Sequence, residues 1–470
     1  MSHHGMMGLK GLPHFCNFSE NQNLIAGNFG RLFPGLPPLY TDPDILRALG
    51  NKNGPMKETS TSNRTNTVPV GQVFFGQFVD HDITLDTSSS FSRVNSATDT
   101  PNVRTPNLDL DCIYGDGPEA SPFLYEQGGT FGGVKLLVGS DVASASPEQA
   151  EDLVRSPRGT AVIGDPRNDE NRIISQIQLA MIRFHNKVAD ELSSEYSGHD
   201  LYEETRDLVT RHYHWALIHD FLNDMCGSAV VWDVLKNGRR FYCVEDNQPL
   251  FIPVEFSIAA YRFGHSMAPQ KIQVQKSKSA LSLFGSVLGG GFTPVTSLDA
   301  VVDMHEIFNT SENRIVQKAD KLDTKLSKVL LDLPFVGAGG ESSLATRNML
   351  RGQSFLMPSG EVLANHMQRS QAEIDQVSDA ANTASGGTLN GGTPLWYYLL
   401  AEAEIIGRES SSGSFDKGEG LGPVGARIVA EVIIGLMELD EHAFLGMDRS
   451  WSPKDGLGEN VKGVGDILTY

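Results

Sequence analysis

Hydrophobic side chains recur at helical spacing along most of the chain after Val68. Between residues 173 and 188 they fall three or four positions apart, which places them on one face of a helix. The same pattern marks segments 202–225, 253–267, 393–405 and 422–439. Pro253 and Pro394 stand where two of these helices would begin, and proline suits the first helical position because no partner is lost there. The pattern predicts a mostly α-helical protein.

Strand signals are short and few. VKLLVG at 134–139 and RRFYCV at 239–244 are the clearest candidates. Residues 340–348 and 378–394 are rich in Gly, Ser, Thr and Asn, a composition typical of flexible connectors. Little sheet is therefore expected.

The first 66 residues differ from the rest, because Gly, Pro and Asn recur and no periodic stretch exceeds a turn or two. Their aromatic residues predict an arm that packs on the body of residues 67–470; they are Phe15, Phe18, Phe29, Phe33 and Tyr40. Length alone favours two or three domains, and a large single fold built around a cofactor is the alternative.

The chain of 470 residues has 38 Lys and Arg against 58 Asp and Glu, a net charge of −20, which argues against a nucleic-acid partner. No apolar run reaches 18 residues, so no transmembrane segment is expected. The start of the sequence lacks a signal-peptide core, which predicts a cytoplasmic protein or one secreted without a leader. The four cysteines form no CxxC pair and are expected to be reduced thiols. Oligomeric state cannot be read from the sequence.

His81 lies between two carboxylates in GQFVDHDIT, and His265 lies on an apolar helical segment in AAYRFGHSM. Successive helical residues turn by about 100°, so Asp80, His81 and Asp82 point in three directions. Burial of three such groups beside phenylalanines requires that each be paired or metal-bound. The alternative is an exposed acidic turn.

Oxygen-bearing residues fall at every second position of TPNLDLDCIYG, namely Thr105, Asn107, Asp109 and Asp111. This spacing lets a short loop wrap oxygens around a hard cation such as calcium, which takes about 6–8 oxygen ligands. The pattern is not an EF-hand, and a solvated acidic loop is the alternative.

Two further pairs have helical spacing. Arg167 and Glu170 lie three apart in GDPRNDEN, and Asn348 and Arg351 lie three apart in RNMLRG. Such residues share one helical face. A surface ion pair explains the first equally well, and the second alone indicates no function.

Together, and in this order, these stretches resemble the animal-type haem peroxidases of the peroxidase–cyclooxygenase superfamily, in particular the bacterial branch. The matching motifs are GQFVDHD, TPNLDLDCIYG, GDPRNDEN, YRFGHS and RNMLRGQSFLMPSG. The resemblance spans roughly residues 5–455 and implies a single large helical haem peroxidase domain with few short strands.

The resemblance also implies a role for each residue. His81 is the distal base, Arg167 the distal arginine, and Gln77 lies in the distal cavity. His265 ligates the haem iron, Asn348 supports its ring through its carbonyl, and Arg351 belongs to the cofactor site. Asp82, Thr105, Asn107, Asp109 and Asp111 match calcium ligands, although mammalian members carry serine at the position of Asp111. Asp80 and Glu170 match positions that form ester bonds to haem, so the cofactor is haem b or a covalently modified haem.

The implied activity is reduction of hydrogen peroxide with oxidation of small organic or halide donors, as in a response to oxidative stress. A neutral imidazole can carry the proton that peroxide cleavage requires, and a guanidinium can stabilise the developing charge. A fatty-acid dioxygenase is one alternative, but its tyrosine is expected three residues before the proximal histidine, where this chain has Arg262 and not Tyr261. A haem- or calcium-binding protein without turnover is the other.

Overall fold

The computed structural model describes residues 27–470 except 61–62, 246–247, 313 and 338. Helices dominate, and the prediction of a mostly α fold with few short strands is confirmed. The longer helices are Pro43–Gly50, Gly71–Ile83, Arg172–Leu192, Gly198–Ala216, Ser228–Asn237, Leu344–Ser354, Gly360–His366, Gln371–Ala384, Leu395–Ile405 and Pro423–Leu439.

Short helices connect the long ones. Single α-turns span Asp111–Tyr114, Gly117–Ala120, Pro147–Ala150, Asn223–Cys226, Gly264–Met267, Met304–Ile307, Phe444–Met447 and Val464–Leu468. Two π-helical stretches, Leu217–Leu222 and Glu255–Ala259, interrupt the helical pattern. The second is followed by the 3₁₀ turn Ala260–Phe263, so the predicted helix 253–267 is a π, 3₁₀ and α series. Such departures from α geometry occur often at functional sites.

The strands pair over long sequence separations. Gly27–Gly30 lies parallel to Phe251–Pro253 and antiparallel to Pro101–Asn102. Arg64–Pro69 lies antiparallel to Lys318–Asp320 and leads into helix Gly71–Ile83. The remaining strands are Lys271–Ile272 with Leu281–Ser282, and Arg408–Glu409 with Phe415–Asp416.

The predicted strand positions are wrong. Leu136 makes only an isolated bridge to Tyr125, and residues 239–244 form no strand. In both stretches the apolar residues pack into the core without a partner strand, which periodicity cannot reveal. Pro253 ends a strand instead of opening a helix. The predicted connectors are partly helical, since helix Leu344–Ser354 begins within the first and helix Gln371–Ala384 ends within the second.

The described part of the N-terminal arm packs on the body. Phe29 and Phe33 are buried, and the buried Glu255 carboxylate accepts hydrogen bonds from the backbone N–H groups of Leu32 and Phe33. Tyr40 is exposed, so it does not contribute to this packing. Phe15 and Phe18 lie outside the described residues.

Two apolar helices lie at the centre of the core. Residues 395–403 are buried without exception, and helix Pro423–Leu439 buries most of its length. In the described part of the chain, no helix combines the length and the apolar character needed to span a bilayer. Cys112, Cys226 and Cys243 are free thiols, as predicted, and Cys16 lies outside the described residues.

Candidate active site

A cavity of about 600 Å³ separates helix Gly71–Ile83 from the turns 260–267. His81 from the helix and His265 from the short helix Gly264–Met267 both line it. The structure therefore brings together two histidines that are far apart in the sequence. The volume falls within the range of about 300–1,000 Å³ that is usual for cofactor sites.

A chain of side-chain amides orients His81. Its Nδ1 lies 2.7 Å from Oδ1 of Asn168, and Nδ2 of Asn168 donates to Oε1 of Gln178 at 2.8 Å. Because Asn168 presents its oxygen, Nδ1 of His81 carries the ring proton and Nε2 is left without one. Burial, followed by the charge of Arg167, lowers the pKa of His81 to about 4. The ring is therefore neutral at pH 7.

His265 faces Asn348 on the opposite wall. Burial, with the charge of Arg262, lowers the pKa of His265 to about 3. Nδ1 of His265 lies 2.8 Å from Nδ2 of Asn348, so in this arrangement Nδ1 accepts from the amide and Nε2 carries the ring proton. Asn348 thus contacts the ring, as the sequence predicted.

The orientation of the Asn348 amide differs from the prediction, which has its carbonyl accept from the ring. Oδ1 of Asn348 instead faces Nη1 of Arg262 at 3.5 Å, and its NH₂ group faces His265. The reason is that a guanidinium can only donate, so it attracts the amide oxygen. Iron ligation through Nε2 leaves a proton on Nδ1 of His265 and requires the carbonyl to face the ring.

Arg167 lies beside His81 but is held by Asp165. Its Nη2 donates to the His81 carbonyl at 2.9 Å and to Oδ2 of Asp165 at 2.7 Å, and its Nε donates to both oxygens of Asp165. Among the described residues that line the cavity, Arg167 is missing. Its contribution in this arrangement is electrostatic, because its charge disfavours the protonated form of His81.

Asp165 is shared by two arginines. Nη2 of the buried Arg104 lies 2.5 Å from Oδ2 of Asp165, and Nη1 of Arg104 lies 3.2 Å from Oδ1 of Asp111. Burial would raise the pKa of Asp165, but the hydrogen bonds and charge of Arg167 and the charge of Arg104 lower it to about 2. The carboxylate therefore stays ionised and fixes both guanidinium groups.

Asp80 and Glu170 both line the cavity. Glu170 keeps contact with solvent, yet the protein that surrounds it on its other sides raises its pKa to about 7. Gln77 donates to Glu170, and Oδ1 of Asp80 accepts from Thr84 at 2.9 Å. Gln77 also lines the cavity, so the three residues form one polar wall.

Three arginines form another part of the cavity wall: Arg262, Arg347 and Arg351. Burial, together with the charge of Arg351, lowers the pKa of Arg262 to about 10. Asp86 accepts a hydrogen bond of 3.0 Å from Arg351. Three like charges repel one another, and a bound anion relieves this repulsion. The wall therefore favours an anionic group such as the carboxylates of a cofactor.

Phenylalanines also line the cavity, namely Phe91, Phe284, Phe292 and Phe335, and the last two are more than half exposed. Phe292 has a φ of +56°, which is rare for a bulky residue, and its N–H donates to the Asp169 carbonyl at 2.6 Å. A Cβ at Gly291 would lie 1.9 Å from the Glu170 carbonyl oxygen, so this close approach requires glycine. The loop 289–292 therefore holds an aromatic ring at the mouth of the cavity.

Three carboxylates converge beside helix Gly71–Ile83, which carries His81 and is called the histidine helix. One oxygen each from Asp82, Asp109 and Asp111 lies within 4.8 Å of the others. Oδ2 of Asp82 accepts from the N–H of Leu110 at 3.3 Å, and Leu110 has a φ of +58°. The loop is thus folded around Asp82 in a conformation that non-glycine residues rarely adopt.

The other two predicted calcium ligands belong to the same loop. Thr105 and Asn107 are partly exposed at alternate positions, and the intervening Pro106 and Leu108 are buried. In the part of the chain that the structure describes, the buried Oγ1 of Thr105 has no hydrogen-bond partner. An oxygen-only set of this kind suits a hard cation. Arg104 neutralises part of the charge of Asp111. The carboxylate that stands here where mammalian members carry serine therefore adds less than one full negative charge to the site.

Sequence reasoning missed the residues that orient the predicted ones. Asn168, Asp165 and Arg104 were not singled out, and neither was Arg262 as a cavity residue. Asp165 and Asn168 stand on either side of Arg167 in a mostly polar stretch that continues to Arg172, so their residue type alone carries no signal. What distinguishes them is contact, of Asn168 with His81 and of Asp165 with Arg167, which depends on the placement of the 3₁₀ turn Pro166–Asp169.

Solved structures with a similar fold are a peroxidase and fatty-acid dioxygenases. Peroxidase A from Dictyostelium discoideum gives a TM-score of 0.59 at 14% identity, with 94% of each chain covered. A fatty acid alpha-dioxygenase from Arabidopsis thaliana gives 0.60 at 16% identity, covering 94% of this chain and 77% of that one. The Oryza sativa fatty acid alpha-dioxygenase gives 0.56 at 14% identity, with 95% and 80% covered. At these identities the fold alone is shared.

Curated relatives match over shorter stretches. Dual oxidase from Drosophila melanogaster is 27% identical over 120 residues, 25% of this chain and 7% of that protein. Dual oxidase 1 from Caenorhabditis elegans is 26% identical over 193 residues, 39% of this chain and 12% of that protein. The matching stretches are therefore a small part of those relatives.

The fold and the cavity define a member of the peroxidase–cyclooxygenase superfamily, whose members are oxidoreductases that use haem. The family model for animal haem peroxidase matches residues 91–359, more than half of the chain. The chain belongs to the animal haem peroxidase family. The residues fit haem, because His265 and three arginines that can hold carboxylates line a cavity of suitable volume.

Proposed function

We propose that the protein is a peroxidase that reduces hydrogen peroxide and oxidises small organic donors. The observation that carries this proposal is the state of His81, which is neutral, oriented by Asn168 and placed across the cavity from His265. A general base must be unprotonated at the atom that accepts the proton, and Nε2 of His81 satisfies this at pH 7.

Haem, when bound, supplies the iron and the porphyrin that take up the oxidising equivalents of peroxide. Nε2 of His265 would hold the iron, and Arg262, Arg347 and Arg351 would hold the carboxylates. His81 accepts a proton from one peroxide oxygen at Nε2 and returns it to the other, which leaves as water. Two donor molecules each give one electron and one proton, so the second oxygen also leaves as water.

Arg167 supports this proton transfer through His81. Its charge adds to the effect of burial in keeping His81 neutral, and its bond to the His81 carbonyl fixes the end of the histidine helix. Asp165 positions Arg167, and Asn168 positions His81. Gln77 and Glu170 complete the polar wall on this side of the cavity.

The phenylalanine mouth favours aromatic organic donors. Phe292 and Phe335 offer exposed rings on which a planar donor can stack. Halides remain a second class of donor, since they need no such surface. Asp80 and Glu170 line the cavity, and ester bonds from their carboxylates to haem would give a covalently modified cofactor.

We also propose calcium at Asp82, Asp109 and Asp111, with Thr105 and Asn107 completing the oxygen set. Asp82 follows His81 directly, so an ion here would tie the histidine helix to the loop 105–111. The burial of Asp82 and Asp111 supports this, because adjacent buried carboxylates require a compensating cation.

A fatty-acid dioxygenase is the second candidate, and one observation favours it. Tyr261, which stands four residues before His265 instead of the three expected of a radical tyrosine, does line the cavity, because residues 260–263 form a 3₁₀ turn. Its hydroxyl, however, has no hydrogen-bond partner among the described residues. A phenol without a proton acceptor is poorly suited to lose its proton, which supports the peroxidase.

The test is the steady-state oxidation of a phenol by the haem-loaded protein with hydrogen peroxide. We expect His81→Ala to retain haem and to lose activity by about 10²–10⁴-fold, the usual contribution of a general acid–base group. His199→Ala, at an exposed helix position, is the control. Oxygen uptake with palmitic acid in the absence of peroxide would instead support the dioxygenase. Normal haem uptake with equal activity in both variants would support a protein without turnover.

A further inference from the structure

Three of the four tryptophans lie in one cluster of rings that reaches the protein surface. Trp215 stacks on His219 with ring centroids 3.9 Å apart, and His219 lies 5.8 Å from Trp232. Trp232 is 54% exposed, an unusual position for so large an apolar side chain. Trp215, His219 and Trp232 therefore form one row of rings that ends at the protein surface.

A second row of rings begins at the cavity. Tyr261 lines the cavity, and its ring centroid lies 6.3 Å from that of Phe221. Phe221 lies 5.7 Å from Phe75, and Phe75 lies 6.0 Å from Tyr213. All four side chains are buried, so the row passes through the core.

The two rows join through His214 and Phe444. The centroid of Tyr213 lies 5.7 Å from that of His214, which lies 6.3 Å from that of Phe444. Phe444 lies 6.2 Å from Trp215. Ring contacts are thus continuous from the cavity to the exposed indole, and no step exceeds 6.3 Å.

We propose that this route carries single electrons from Trp232 to the cavity, and that Trp232 is a second site of donor oxidation. The donors it serves are phenols carried on polymers too large for a cavity of about 600 Å³. The inference rests on the proposed peroxidase function, because peroxide is the oxidant. It adds a site that lies outside the cavity.

The electrons and protons balance. One hydrogen peroxide takes up two electrons and two protons and gives two waters. Each electron leaves Trp232 toward the cavity, and the indole recovers it from a phenol at the surface. The phenol releases its proton to solvent and becomes a phenoxyl radical, so two phenols are oxidised for each peroxide.

The chemistry of the rings favours movement of the oxidising equivalent along the route over its retention near the cavity. The hydroxyl of Tyr261 has no hydrogen-bond partner among the described residues, so no described side chain or backbone group is placed to accept its proton. Indole is readily oxidised, and the exposed Trp232 can exchange its proton with water. The oxidising equivalent therefore rests at the surface end of the route.

A side branch of rings leaves the cluster at Trp215. Trp451 lies 6.2 Å from Trp215 and 5.1 Å from His212, and rings continue through Phe184 to Tyr470. The Tyr470 hydroxyl donates to Glu191, so this ring has a proton acceptor. The double variant Trp232→Phe/Tyr470→Phe therefore accompanies the single one.

The experiment compares a free phenol with the same phenol tethered to dextran, each with peroxide and the haem-loaded protein. Trp232→Phe keeps an aromatic ring but removes the oxidisable indole, and we expect it to lose the tethered reaction and keep the free one. Trp232→Tyr restores an oxidisable ring and should recover the tethered reaction. Tyr40→Phe, at an exposed tyrosine outside the route, is the control.

A second readout locates the radical. Freeze-quenched electron paramagnetic resonance after peroxide should show a tryptophanyl signal in the wild type that is absent from Trp232→Phe, and a nitroso spin trap should label the peptide that contains Trp232. Equal oxidation of the tethered phenol by wild type and by the double variant would overturn the inference. The inference would also be overturned if the wild type oxidised the free phenol but not the tethered one. If the wild type did not oxidise the free phenol, the peroxidase proposal itself would be overturned.

Discussion

Asp165 holds Arg167 with both of its oxygens. Nε of Arg167 lies 3.1 Å from Oδ1 and 3.2 Å from Oδ2, and Nη2 lies 2.7 Å from Oδ2. Arg104 approaches the same carboxylate from its other side and reaches Asp111 in the acidic loop. A row of charges thus connects the candidate calcium site to Arg167, which lies beside His81.

Asp165→Asn is expected to lower both stability and peroxide turnover. Loss of the charge leaves two largely buried arginines without a full counter-ion, which destabilises by about 3–5 kcal/mol in comparable cases. Arg167 also loses its orientation, and misplacement of a positioning group can reduce the rate by about 10²-fold. Thermal unfolding and kcat/KM for peroxide measure the two effects.

Asp169→Asn is the matched control, because Asp169 is a buried aspartate of the same 3₁₀ turn and pairs with Arg155 at 2.7 Å. It should lose similar stability without a comparable loss of kcat/KM. If both variants lose turnover equally, Asp165 acts only through stability.

Asn168→Asp is expected to shift the pH dependence of the peroxide reaction. In the wild type the pKa of His81 is about 4, so kcat/KM for peroxide should fall only below that pH. A carboxylate 2.7 Å from Nδ1 would favour the protonated ring and raise the pKa of His81. The acid limb of the pH profile should therefore move to higher pH, while Asn168→Ala should lower kcat/KM without moving the limb upward. An unchanged limb in Asn168→Asp would contradict the assignment of His81 as the base.

The helical periodicity of the sequence predicted the positions of the helices better than it predicted which side chains come into contact. Helices Arg172–Leu192, Leu395–Ile405 and Pro423–Leu439 lie where the pattern placed them, because an apolar face repeats over many turns. Asn348 lies at the junction of a predicted connector and a helix, since the polar residues of Leu344–Ser354 mask its helical character. The turn of Tyr261 toward the cavity depends on a 3₁₀ geometry that residue types do not encode.

The site shows the same division. His81, His265, Gln77, Glu170 and Arg351 line the cavity, as their motifs suggested. The polar run does not indicate Asp165 and Asn168, because what distinguishes them is contact with distant residues, of Asn168 with His81 and of Asp165 with Arg104.

Calcium removal is expected to disturb the haem site before the fold. If the ion ties Asp82 to the loop 105–111, a chelator should change the haem absorption spectrum and lower peroxide turnover while far-ultraviolet circular dichroism stays unchanged. Calcium should restore both, and magnesium should restore less, because its smaller octahedral shell suits a flexible loop poorly. Asp109→Ala should mimic the chelator, and Asp99→Ala, at an exposed acidic residue, should not. Simultaneous loss of spectrum and secondary structure would contradict this order.

The buried, neutral side chain of His212 makes the free energy of unfolding depend on pH. Its Nδ1 lies 2.8 Å from the Val461 carbonyl and its Nε2 accepts from the Leu457 N–H at 3.1 Å, so the ring is held neutral with one donor and one acceptor. Burial lowers its pKa to about 4. Between this value and the ordinary pKa of about 6.5, the unfolded chain binds a proton that the folded chain does not, so stability must fall as the pH falls. His212→Gln should reduce the slope of unfolding free energy against pH by up to about 1.4 kcal/mol per pH unit in this range. Denaturant unfolding at several pH values measures the slope, and His199→Gln, at an exposed histidine, should leave it unchanged.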